Sequence, residues 1–266
     1  MAIDLYQFEL SAYCEKVRLA LDAKGLAYRK VEVTPGVGQI EVFQKSGQRR
    51  VPVLVDGAEA IADSTAILHY LDRQYPDTSI LPEDRRDRAL CWLLEDWADS
   101  VLTPQAAKLV PLVWGGDAAT RSALLPDGTP EPIKTLLGAV PQELFSALST
   151  GVGGGPEALR TARQGVETAL MFLVERLEDR PYLVGDRPTV ADFAVAAGTL
   201  ALKVPTGPYL DVPSGLRGRG VPGIADSALY APFFEWRDRL YETVRTPVAP
   251  QGPPPSSGPT PIVIES

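Results

Sequence analysis

Residues 3–25 read IDLYQFELSAYCEKVRLALDAKG, and this stretch decides the fold. Ile3 to Phe8 is a short strand-like run. Cys14, Val17 and Leu21 then recur at helical spacing, and Gly25 stands where a helix needs a C′ residue. The next segments extend the alternation. Tyr28 to Val33 alternates and carries β-branched residues, as strands do. Pro35, Gly36 and Gly38 mark a loop. Val51 to Val55 is a short apolar run, and Asp56-Gly57 is a hairpin turn signal. Ser64 can N-cap a helix containing Ile67, Leu68 and Leu71, which Pro76 stops. The order is β-α-β, a loop, a β-hairpin and a helix.

From about residue 85 the pattern turns helical. Leu93, Trp97, Val101 and Leu102 make one stripe. Leu159, Ala162, Val166, Leu170, Leu173 and Leu177 make another at the 3.6-residue period. A third helix begins at Thr189, and a fourth covers about Ala228 to Arg245. Long irregular loops are expected at 115–156, ending in GVGGGP, and at 203–224, both rich in Pro and Gly. GVGGGP lacks the Gly-Lys-Ser/Thr of a phosphate loop and reads as a linker. The tail 246–266 is Pro-rich and is expected to be disordered.

Composition narrows the chemistry. A chain of 266 residues, 45% hydrophobic and 23% charged, is long enough to bury a core without disulfide staples. Its 34 acids outnumber its 26 bases, and the net charge of -8 argues against nucleic acid as the main partner. Cys14 and Cys91 stand apart and His69 is the single imidazole, so a zinc site is not expected and no metal is called. His69 reads as structural. MAIDLYQFEL has neither the basic nor the apolar region of a signal peptide, and no run of 18 apolar residues predicts a membrane span. A soluble, cytoplasmic protein is the expectation.

Four features fit one site. Ser11, Tyr13 and Cys14 enter a helix, whose N-terminus offers free N–H groups and a positive dipole end that favour a thiolate. Pro52 opens a strand and can hold a cis bond, leaving the Val51 backbone free to pair with an extended peptide. Asp63-Ser64 starts another helix ready for an anion. Arg49 and Arg50 lie beside the Val-Pro pair, where either can face a carboxylate.

The segments SAYCEKVRLAL, VPVLVDG, ADSTAILHYL and YLVGDRPTVADFAVAA together resemble the cytosolic glutathione transferases. The loop phrase GPYLDVPSGLRGRGVPG is similar to glutathione transferase-like proteins of cyanobacteria. The resemblance implies an α/β thioredoxin-like domain, 1–80, ordered β-α-β-α-β-β-α, followed by an all-α helical domain, 85–245. It implies glutathione as co-substrate, a small-molecule electrophile as partner, and a homodimer. Val51 would bind the glutathione backbone, with Pro52 cis. Asp63 and Ser64 would hold the γ-glutamyl end, and Arg50 or Arg49 the glycyl carboxylate. Ser11 would activate the thiol, with Cys14 and Tyr6 as alternatives. Tyr13 and Trp114 are candidates for lining a hydrophobic pocket. Thr189 and Asp192 match the family's buried capping box, with Pro188 and Phe193 at the staple positions.

Two other readings stay open. One is a non-catalytic protein that binds glutathione, a hydrophobic ligand or a partner. The other is a thiol transferase using Cys14, which without a second cysteine at position 11 is limited to a glutathione mixed disulfide.

Overall fold

The computed structural model describes residues 3–33, 38–114 and 155–248. Strand β1 (Ile3–Gln7) leads into helix α1 (Ala12–Ala23), then strand β2 (Tyr28–Glu32) and helix α2 (Gly38–Ser46). Strands β3 (Val53–Asp56) and β4 (Glu59–Ala62) form the hairpin, and α3 (Ser64–Gln74) closes the unit. The sheet order is β2-β1-β3-β4, with β1 parallel to β2 and antiparallel to β3. This is the expected thioredoxin-like arrangement. Gly38, read from the sequence as a loop residue, instead opens α2. Gly25 takes φ +66°, the left-handed conformation that ends α1.

Side chains alternate across β1. Ile3 and Leu5 join Val17, Leu21, Leu54, Ile67 and Leu71 in the main core. Tyr6 points to the other face, with Val33, Val42 and Val53.

Among the described residues the helical part comprises α4 (Arg85–Trp97), α5 (Thr103–Trp114), α6 (Gly155–Leu177), α7 (Val190–Gly198) and α8 (Ala231–Val244). A π turn at Ala98–Leu102 joins α4 to α5. The stripe expected on α6 is largely buried, through Ala162, Val166, Leu170 and Leu173. The stripe expected on α4 is buried only in part: Leu102 faces the core and Trp97 packs against it, but Leu93 is 68% exposed and Val101 40%, while Cys91, Glu95 and Ala98 face inward. The reason is that α4 turns Glu95 toward a buried lysine, an electrostatic demand that apolar spacing does not register. The fourth helix starts at Ala231, later than read. Residues 115–154 of the first expected loop and 249–266 of the tail lie outside the described residues.

The stretch 203–224 is irregular but packed. Leu210 and Leu216 join Leu200 and Val204 in a small core of their own. A bridge pairs Lys203 with Gly220, where a Cβ would meet the Leu202 carbonyl oxygen at 2.1 Å, so only glycine fits.

Every residue of α7 is buried, and this helix packs against both α1 and α4. Its N-terminus is closed by the Thr189–Asp192 capping box. Asp192 accepts from the Thr189 N–H, the Thr189 hydroxyl and the Leu183 N–H, each at 2.8 Å. Losing that carboxylate strands three donors in the core. Asp192→Ala is expected to lower unfolding free energy by about 3 kcal/mol in urea titrations. Asp192→Asn keeps one acceptor oxygen and should lose about half as much; equal losses would remove the hydrogen bonds as the cause.

Candidate active site

Register brings the predicted site residues to one end of the sheet. Tyr6 pairs with Val53, and Val53 with Ala62. One step beyond this row lie the Phe8–Ser11 turn, the Val51–Pro52 pair and Asp63. The Val51–Pro52 bond is cis.

Ser11 is the N-cap of α1, its Oγ accepting the Cys14 N–H at 3.3 Å. Capping engages a lone pair of the oxygen and not its proton, so the hydroxyl can still donate. The cap of α3 is Asp63, one residue before the Ser64 that the sequence suggested. Asp63 Oδ1 accepts from Thr65 N at 3.0 Å and Ala66 N at 3.1 Å. Its φ of 81° makes it the sole non-glycine among the described residues in the left-handed half of conformational space. Such strain costs about 1–3 kcal/mol and collects at ligand sites. Ser64 is the first helical residue, buried, and donates to Asp99 Oδ2 at 3.4 Å. Two helix N-termini therefore meet at this end of the sheet, each a partial positive charge.

The Arg49 guanidinium lies 5.7 Å from the Phe43 ring centroid on α2. Burial raises the Tyr13 phenol, and the positive charge of Arg50 opposes that rise. Tyr13 is half-buried, and its hydroxyl donates to the Asp99 carbonyl at 3.2 Å. Trp114 is the last residue of α5, and its side chain lies outside the described residues.

Both alternative thiol activators are drawn elsewhere. Cys14 is fully buried, and burial pushes its thiol up to about 11, against the pull of Arg18 and the Ser11 hydroxyl. It is a core side chain without the exposure a nucleophile needs. Tyr6 lies on the α2 face of the sheet and donates to Glu41 Oε1 at 2.9 Å. Burial, then that bond, raises its phenol.

Sequence reasoning missed the charges that support the site. Lys16 Nζ lies 2.5 Å from both Glu95 and Asp99, with Lys16 and Glu95 almost fully buried. Thr65 Oγ1 donates to the same Glu95 oxygen at 2.6 Å. The signal was present: Glu95 falls at helical spacing between Cys91, Ala98 and Leu102, on the face that the core covers.

Glu9, two residues before Ser11, is a second hub. It accepts from Gln7 Nε2 at 2.8 Å, Lys30 Nζ at 3.0 Å, Arg18 Nη1 at 3.3 Å and the Asp211 N–H at 2.9 Å. The last bond fastens the 203–224 stretch to the turn that carries Ser11. Arg245 fastens it again, donating to the Tyr209 carbonyl at 2.8 Å and pairing with Asp22 at 2.5 Å.

Among the described residues, no group of three His, Cys, Asp or Glu side chains could hold a metal ion, and no helix is long and apolar enough to cross a membrane. A cavity of about 390 Å³ between Pro82–Asp87 and Val184–Thr189 includes none of the predicted site residues.

Residues 5–79 match the family model described as glutathione S-transferase, N-terminal domain. Residues 156–250 match the model for the C-terminal domain of the same family. Glutathione S-transferase 1 of Dianthus caryophyllus is 38% identical over 105 residues, 38% of this chain and 48% of that protein. A zeta-class glutathione S-transferase of Euphorbia esula is 36% identical over 105 residues, 38% of this chain and 47% of that one. The chain thus spans about half the length of these curated relatives. The crystal structure of a beta-etherase from Sphingobium sp. strain SYK-6 superimposes with a TM-score of 0.64 at 22% identity, covering 91% of this chain and 95% of that one. That likeness shows the fold.

The Glu9 hub carries a pH signature. Burial alone would raise its carboxyl, but Arg18 and Lys30 overcome this and hold it at about 2, below its ordinary 4.5. A depressed carboxylate stabilises the fold fully above the unfolded value and loses that contribution as pH falls toward the folded one. Glu9 is expected to contribute about 3 kcal/mol at neutral pH, lost between about pH 4.5 and pH 2. Chemical denaturation at pH 5 and pH 3 should show a smaller stability drop in Glu9→Gln than in the unsubstituted protein. Equal drops would assign the acid sensitivity to other groups.

Proposed function

The chain belongs to the glutathione transferase superfamily, and we propose that it binds glutathione beside Ser11 and delivers its thiolate to a hydrophobic electrophile. The observation that carries this reading is the meeting of two helix N-termini beside the Val51–Pro52 pair at one end of the sheet. Glutathione is an extended peptide with a carboxylate at each end and a thiol between. The N-terminus of α3, with Asp63 and Ser64, suits the γ-glutamyl end. The Val51 backbone suits the cysteinyl peptide unit as an added strand. Arg50, with Arg49 as the alternative, suits the glycyl carboxylate, the Arg49 guanidinium lying already against the Phe43 ring. The thiol then falls near Ser11 and the N-terminus of α1.

There the chemistry follows from electrostatics. A free thiol titrates near ~8.5, so little thiolate exists at neutral pH. A hydroxyl proton and a positive helix end stabilise the anion and lower that value. The thiol proton leaves to water. The sulfur lone pair forms a bond to the electrophilic carbon, and the leaving group departs with its bonding pair. The division at 1–80 and 85–245 is part of this proposal, with the helical domain and Tyr13 supplying the apolar wall for the electrophile at the interdomain seam. So are a cytoplasmic location and a homodimer, for which the exposed Leu90 and Leu93 of α4 offer an apolar face.

A Cys14-dependent thiol transfer is disfavoured by the burial of that thiol. A protein that only binds glutathione is separated by turnover. Ser11→Ala is expected to cut conjugation to an aryl halide by about 10²-fold, the scale of one preorganised donor on a developing or resident anion. Calorimetric affinity for glutathione should stay within about threefold, and the pH–rate profile should move toward the free thiol value. Unchanged turnover would exclude Ser11 as the activator. Binding without turnover in the unsubstituted protein would favour the non-catalytic reading.

A further inference from the structure

The helical path from Arg85 to Trp114 widens into a π turn at Ala98–Leu102. There Thr103 sends its N–H to the Ala98 carbonyl, five residues back, and skips Asp99. The next residue in line to serve Asp99 is Pro104, which has no N–H. The Asp99 carbonyl therefore lacks both the four-residue and the five-residue helical donor. An unserved carbonyl at a protein seam costs free energy. The Tyr13 hydroxyl, from the first turn of α1, donates to this carbonyl.

The side chain of the same residue holds the rest of the seam. Asp99 Oδ2 accepts from Lys16 Nζ at 2.5 Å and from Ser64 Oγ at 3.4 Å. Asp99 is thus tied at its carbonyl to the helix that starts at Ser11, and at its carboxylate to the first residue of α3. Single π turns recur at functional sites, where they re-aim one residue of a helix. Here the re-aimed residue joins the two helix N-termini of the site.

We propose that Tyr13 is a positioning residue for glutathione. By serving the carbonyl that Pro104 leaves without a donor, it fixes Asp99 and, through Asp99, the Ser64 hydroxyl at the N-terminus of α3. This inference rests on the glutathione-binding reading above. In this role Tyr13 does not touch the thiol, so it governs affinity and not the reactivity of the bound sulfur. Pro104 is what makes the hydroxyl necessary. Alanine at that position restores an N–H five residues after Asp99, and the tyrosine hydroxyl becomes redundant.

A double-mutant cycle of Tyr13→Phe and Pro104→Ala tests the latch. The readouts are the calorimetric dissociation constant for glutathione and amide hydrogen exchange at residues 64–67. Tyr13→Phe alone should weaken glutathione about fivefold, the scale of one net hydrogen bond, and speed exchange at 64–67. Pro104→Ala alone should bind as the unsubstituted protein does. In that background Tyr13→Phe should change affinity less than about twofold. An equal loss in both backgrounds overturns the latch, and so does unchanged exchange in Tyr13→Phe. No glutathione binding by the unsubstituted protein would sink the functional reading instead, and the exchange cycle alone then supports or overturns the latch.

Discussion

Helix α1 buries eight consecutive residues, Cys14 to Leu21, and three of them are charged. Glu15, Lys16 and Arg18 have almost no exposed surface. A charge withdrawn from water is tolerated only when it is paired and hydrogen-bonded. The partners therefore dictate where other elements sit. Lys16 draws Glu95 and Asp99 from the α4 side. Arg18 holds Glu15 and Glu9, and also bonds to Gln7. Glu15 also faces Arg245 at 3.3 Å, just past the end of α8. Removing one partner of such a buried pair typically costs about 3–5 kcal/mol.

The same ionic frame supports the site. Ser11 sits at the open end of α1, so whatever fixes α1 fixes Ser11. Glu9 anchors the turn before it and clasps the 203–224 stretch through Asp211. Lys16, Asp99 and Ser64 link α1 to the start of α3. The two helix ends that would bind an anionic peptide are thus braced against each other through the helical part of the chain. Positioning of this kind sets affinity and rate without adding any group to the reacting centre.

Much of this was legible in order of appearance. The β1–α1 unit, the Asp56-Gly57 hairpin, the α6 stripe and the Thr189–Asp192 cap all follow from local pattern and turn chemistry, and the structure has them. The failures share a cause. The α4 stripe was read from Leu93, Trp97, Val101 and Leu102; Trp97 and Leu102 do meet the core, yet Leu93 and Val101 face outward while Glu95 faces in. Apolar periodicity finds a core face only when the core is apolar there. Cys14 and Tyr6 looked like candidates because of their types and their positions near Ser11. Burial of one and the Glu41 bond of the other are tertiary features that spacing does not register.

By itself the sequence determined the secondary structure around the site, the family resemblance and the short list of residues at two helix starts and one Val-Pro pair. Local rules suffice there, because caps, turns and strand alternation are set by near neighbours along the chain. Only the tertiary structure decided that Asp63 and not Ser64 is the cap, and that Tyr13 serves the carbonyl of Asp99. Those depend on side chains separated by tens of residues, whose pairing is imposed by the need to satisfy buried charges and carbonyls once the two parts of the chain pack together.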